Sequence, residues 1–116
     1  MELSISQINN ELSYVTFCDY YIVHNLTELQ AENLLVNLEV NSWILRTDIN
    51  HKGNSHAITI KTNDGFVHHN GFFFSNNFQV HIINENKIFG IMKEYIIYLS
   101  RCYGFDINKQ IIYEND

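Results

Sequence analysis

The sequence predicts an α+β domain, with a central antiparallel sheet flanked by two helices, one on each face. Three observations predict it. Thr27 and Gln30 form a capping signature ahead of a stretch with apolar residues at helical spacing. Between residues 43 and 83 come short runs rich in β-branched and aromatic residues, separated by polar turns. Ile88, Ile91, Met92, Tyr95, Ile96 and Leu99 then repeat at the spacing of one face of a second helix.

Residues 1–19 are a mixed N-terminal extension, in which Glu2 to Tyr14 is expected to hold a short helix with Leu3, Ile8 and Leu12 partly in phase. The helix opened by Thr27 carries Leu29, Leu34, Leu35 and Leu38 as its stripe, and Asn41-Ser42 ends that unit. Trp43 to Thr47 is the first strand. Its apolar start, Trp43-Ile44-Leu45, suits a strand covered on both faces. A polar loop from Asp48 to Ser55 with one glycine leads to a second strand, His56 to Thr62, where Ile58, Thr59 and Ile60 favour extended backbone. Asn63-Asp64-Gly65 is a hairpin signal before a third strand, Phe66 to Phe74, whose run Phe72-Phe73-Phe74 is read as core. Asn76-Asn77 marks a turn, and Phe78 to Ile83 is a shorter strand. The second helix carries Arg101 in its last turn and stops at Gly104. One domain is expected over residues 20–104, with a tail over 105–116 that adds a short strand.

The chain has 116 residues, 46% of them apolar, enough for a real core. A net charge of −6 and a pI near 5.4 argue against nucleic acid and anionic membrane surfaces, both of which need a basic face. No apolar run approaches the ~20 residues of a membrane span. Cys18 and Cys102 have neither metal nor redox spacing, so they are expected to be reduced thiols in a cytosolic protein. No metal or other cofactor is implied, and a monomer is expected. Proline is absent and asparagine abundant, a bias that points to an AT-rich genome.

One charge is out of place. Arg46 follows the apolar run directly, so a guanidinium ends a buried strand, which is costly unless an anion meets it. Arg46 and Arg101 are the only arginines. A planar fork of donors suits a carboxylate or a phosphate. The loop that follows offers backbone amides, Asn50, Lys52, Asn54 and Ser55, a set able to wrap an anion. Thr47 and Thr59 add hydroxyls on adjacent strands. His68 and His69 point to opposite faces of the third strand, so one of them shares the face of Arg46.

At this point the residues resemble the Src homology 2 domain, the phosphotyrosine-reading module. Its opening W-Y-H-G and A-E-x-L-L elements are similar to Tyr20-Tyr21 with His24 to Leu35, in particular Ala31-Glu32-Asn33-Leu34-Leu35. Its F-L-V-R-E-S signature is similar to Trp43-Ile44-Leu45-Arg46-Thr47-Asp48. Its Y-x-L-S-V-K strand resembles His56-Ala57-Ile58-Thr59-Ile60-Lys61, and its D-G-x-V-K-H-Y strand resembles Asp64 to Asn70. Its closing helix is similar to residues 88–98. The likeness spans residues 20 to 103 in the family's order and spacing.

The resemblance implies a role for each matched residue. Arg46 would grip two phosphate oxygens at the pocket floor. His69 would stand beside the phosphotyrosine ring, Lys52 and its loop would close over the phosphate, and Thr59 falls where a serine or threonine is usual. His68, Asn70 and Gly71 would face the peptide. Four positions depart from the pattern: Glu28 stands where the family often has an arginine, and Asp48 where it has a serine, leaving Thr47 or Ser55 to supply that hydroxyl. Asn70 replaces an aromatic and Gly71 a lysine that packs on the tyrosine ring. The expected function is non-catalytic recognition of phosphotyrosine in a protein or peptide. The composition resembles that of such domains carried by intracellular bacteria, notably Legionella, as effectors delivered to the host cytosol. The alternative is a phosphate-independent interaction or inhibitory protein on the same fold, with Arg46 paired internally to Asp48 or Glu28. No Cys-x-x-Cys, His-x-Glu-x-x-His or glycine-rich phosphate loop suggests an enzyme.

Overall fold

The computed structural model describes residues 20–23, 25–47, 55–75, 79–83 and 87–111. The helix expected over 2–14, Cys18, Asp48 and Lys52 lie outside these residues. The elements are α1 (Glu28–Leu35), β1 (Trp43–Thr47), β2 (His56–Thr62), β3 (Gly65–Phe74), β4 (Gln79–Ile82), β5 (Lys87–Ile91) and α2 (Met92–Tyr103), followed by a 3-10 turn at Ile107–Lys109. The five strands form one antiparallel sheet in sequence order.

Strand alternation divides the core in two. Trp43, Leu45, Ile58, Ile60, Phe72 and Val80 pack against Met92, Tyr95, Ile96 and Leu99 of α2. Ile44, between Trp43 and Leu45, faces the other way and packs with Tyr21, Val23, Leu26, Ala31 and Leu35 on the α1 side. This is why the first strand is apolar at consecutive positions.

The capping box forms as expected. The Thr27 hydroxyl accepts from the Gln30 amide at 3.1 Å, and the Gln30 side chain accepts from the Thr27 amide at 2.9 Å. The stripe differs from the expectation. Ala31 and Leu35 are the buried positions of α1, whereas Leu29 is 67% exposed. The helix also ends sooner, at Leu35. The Lys61 ammonium donates to the carbonyls of Val36 and Leu38 at 2.6 and 2.7 Å, satisfying acceptors at the helix end and matching its dipole.

The second helix is shorter than its apolar stripe suggests. Residues 87–91 form β5, paired with β4. Gly90 has φ +141°, which no α-helix accommodates, and Ile91 remains extended before Met92. Gly104 ends α2 in the left-handed conformation at φ 77°, donating to the Ser100 carbonyl at 2.8 Å. Of the tail in which a short strand is expected, residues 112–116 lie outside the described residues, and Gln110 forms a parallel bridge with Trp43. The Ile111 amide donates to the Trp43 carbonyl at 2.7 Å, and Phe105 packs on the Trp43 ring at 4.9 Å. Val23 pairs with the same edge of β1, bonding Leu45 and Thr47 at 2.9 Å each. The two segments together cover an edge that would otherwise present unpaired amides.

A β-bulge in β3 sets the final alternation. His69 lies opposite Ile58, but Phe72 lies opposite His56, so β3 spends three residues where β2 spends two. Gly71, at φ +87°, occupies the turn of that bulge. The extra residue returns Phe72 to the α2 side, where it is fully buried. Gly71→Ala is expected to cost about 1–2 kcal/mol, although a Cβ there would meet nothing within 4 Å. Urea denaturation of the variant and the parent measures the difference.

Candidate functional site

Arg46 points from β1 to the α1 side of the sheet. It is opposite Ala57 in register and diagonal to Thr59. Its side chain is fully enclosed, at 0% exposure, and so is Thr59. The guanidinium Nε donates to Thr59 Oγ1 at 3.0 Å, and Nη1 donates to the Leu26 carbonyl at 3.0 Å. Both acceptors are neutral. They fix the plane of the fork.

The chain of contacts continues outward. Thr59 lies opposite His68, and Oγ1 is 2.9 Å from His68 Nδ1. His68 Nε2 is 2.7 Å from a Glu32 carboxylate oxygen, and Glu28 reaches within 3.4 Å of Nδ1. An ionised carboxylate only accepts, so Nε2 holds a proton. In the neutral ring Nδ1 then accepts from the Thr59 hydroxyl, whose oxygen in turn accepts from Arg46. Glu28 and Glu32 are one helical turn apart, so both project from the same face of α1 towards the imidazole.

His68, and not His69, therefore shares the face of Arg46. The residues' opposite orientation follows from their being neighbours on one strand. The Thr59–His68 register decides which faces α1. His69 lies on the α2 side instead, with Nε2 2.8 Å from the Tyr95 hydroxyl and Nδ1 3.0 Å from the Tyr103 hydroxyl. Its ring also stacks on Phe72 at 5.4 Å. Burial holds the His69 imidazole below its ordinary value near 6.5. A neutral ring, with one donor and one acceptor nitrogen, suits two hydroxyls that can each donate or accept.

The remaining expected site residues are divided. Thr47 alternates away from Arg46, and its Oγ1 accepts from the Asn25 amide at 2.7 Å, fixing the turn before α1. Ser55 precedes β2 in phase with Ala57 and Thr59. It is only 3% exposed, and its Oγ has no hydrogen-bond partner among the described residues. That leaves a buried hydroxyl at the sheet end nearest the β1–β2 loop. Asn70 and Gly71 form the β3 bulge, with Asn70 exposed. Glu32, Lys61 and the Leu26 carbonyl were not among the expected site residues. Glu32 had a legible signal, its spacing of four from Glu28. The roles of Lys61 and Leu26 depend on tertiary placement.

Two substitutions test this arrangement. Thr59→Val removes the hydroxyl between Arg46 and His68 while keeping its shape, and is expected to cost about 1–3 kcal/mol by leaving a buried donor unmet, read by chemical denaturation. The lowered His69 value means that the native state disfavours its protonation. Its contribution to stability is complete above the unfolded value near 6.5 and is lost as pH falls through the lower folded value. His69→Gln is expected to flatten the acid side of the stability profile, measured as unfolding free energy against pH for both proteins.

No family model matches the chain, and no curated protein does. Among solved structures, it is similar to the solution structure of the VAV1 SH2 domain complexed with a tyrosine-phosphorylated peptide from SLP76. The identity is 21% and the TM-score 0.53, covering 80% of this chain and 65% of that one. The chain thus spans just under two thirds of that structure's length. It is also similar to the solution structure of the SH2 domain of human proto-oncogene protein VAV1, at 19% identity and a TM-score of 0.52, covering 90% and 81% of the two chains. The five-stranded antiparallel sheet between two helices is the Src homology 2 fold.

Proposed function

We propose that this protein is a non-catalytic module that binds phosphotyrosine in a protein or peptide. The observation that carries the reading is the fully enclosed Arg46 guanidinium, oriented by Thr59 and Leu26 under α1. Burial makes charge complementarity worth more there than at an open surface, and the planar fork matches two phosphate oxygens. Thr59 and His68 line the route outward, and the buried Ser55 hydroxyl lies next to the loop that holds Lys52. In this reading Lys52 and the loop amides complete the phosphate shell. The structure of the VAV1 domain with its tyrosine-phosphorylated peptide supports it by likeness of fold. The proline-free, asparagine-rich composition supports a setting in which the module is a bacterial effector acting on host signalling.

A second reading on the same fold is a phosphate-independent interaction protein. One observation favours it: Glu28 and Glu32 face His68, on the side from which a phosphate would approach. Phenyl phosphate separates the two. A ligand that binds only the folded state raises the unfolding midpoint progressively with its concentration. The midpoint of the native protein is expected to rise with phenyl phosphate. That of Arg46→Lys is expected to stay flat, because an ammonium cannot form the fork. Arg46→Met, checked for folding by circular dichroism, is expected to lose titratable binding of a phosphotyrosine peptide altogether. A midpoint in the native protein that ignores phenyl phosphate would favour the second reading.

A further inference from the structure

We infer that Glu28 and Glu32 determine specificity by selecting phosphotyrosine with a basic residue beside it. This rests on the phosphotyrosine reading and extends it to the chemistry of the partner. Exposure rises along the chain of contacts that leads away from Arg46. Arg46 and Thr59 are 0% exposed, the His68 side chain 15%, Glu32 35% and Glu28 50%. On the phosphotyrosine reading, a phosphate held by Arg46 lies deeper than both carboxylates, and the groups attached to it extend to their level.

The charges then decide what can accompany the phosphate. On the described wall, one guanidinium faces a dianion, while two carboxylates stand one helical turn apart at the mouth. A ligand with further acidic groups meets repulsion at the rim, in a protein whose net charge is already −6. A ligand that carries a lysine or arginine next to its phosphotyrosine places a cation where Glu28 and Glu32 can pair with it. In the neutral ring Nε2–H serves Glu32 at 2.7 Å while Nδ1 accepts from Thr59, so the ring gives no proton to Glu28, 3.4 Å from Nδ1. Rejection of acidic neighbours and acceptance of basic ones both follow from one pair of residues.

The experiment compares three short peptides, with phosphotyrosine flanked on both sides by lysine, alanine or glutamate, by fluorescence polarisation at low and high salt. At low salt the lysine peptide is expected to bind about threefold to fivefold tighter than the glutamate peptide, the scale of exposed ion pairs. High salt shrinks the ratio. In Glu28→Gln/Glu32→Gln the ratio falls towards one, because glutamine keeps a hydrogen bond to His68 but not the charge. Asp64→Asn/Glu94→Gln removes two charges from the β2–β3 turn and from α2, and is expected to leave the ratio unchanged. Equal binding of the three peptides overturns the inference alone, as does a control variant that lowers the ratio as much as the α1 variant. Failure of every phosphotyrosine peptide to bind overturns both this inference and the reading beneath it.

Discussion

The placement of one buried cation organises the α1 half of this domain. Arg46 joins three segments at once. It belongs to β1, bonds Thr59 on β2 and holds the Leu26 carbonyl just before α1. A guanidinium enclosed in this way carries a desolvation cost of several kcal/mol unless its donors are met. Two of these donors are met by neutral oxygens, which fix the direction of the fork. The same geometry brings the start of α1 close to the sheet, and Val23 bridges residue 46 on the chain leading to it.

The two faces of the sheet are chemically unlike, although both are packed. The α2 side is aromatic and apolar, built on Trp43, Phe72, Tyr95 and Phe105, with His69 held between the hydroxyls of Tyr95 and Tyr103. The α1 side carries the charges, Arg46, Glu28 and Glu32, joined through Thr59 and His68. The larger core cluster, on the α2 side, is built of apolar and aromatic residues. The network from Arg46 to Glu32 lies beside the smaller core cluster, where loss of packing area is the lesser cost.

Much of this was legible in the amino-acid pattern. The bounds of β1 and β2, the capping box at Thr27, the Asn63-Asp64 turn and the Gly104 stop each follow from local chemistry and occur where expected. Arg46 was legible because a charge after three apolar residues has few explanations. The exceptions arise where local signals compete or where distant strands decide. Ile88 and Ile91 fit a helical stripe, but Gly90 at positive φ and pairing with β4 hold them extended. Leu29 fits the α1 stripe, but the helix rolls onto Ala31 and Leu35. His68 and His69 could not be told apart from sequence periodicity, because only the register with β2 says which of two adjacent side chains faces Arg46. Glu28, a departure when matched to the family pattern, proves to be a contact of His68.

Lys61 has a consequence for how a guest would arrive. Its ammonium grips Val36 and Leu38 just past the final turn of α1, while the chain before its first turn is held by Arg46 through Leu26. Moored fore and aft, the helix is tied to the sheet at both ends. The Glu28 and Glu32 side chains, 50% and 35% exposed, can change rotamer in picoseconds to nanoseconds without movement of the helix that carries them. A visitor would meet a helix pinned at both ends and fringed by carboxylates that turn quickly.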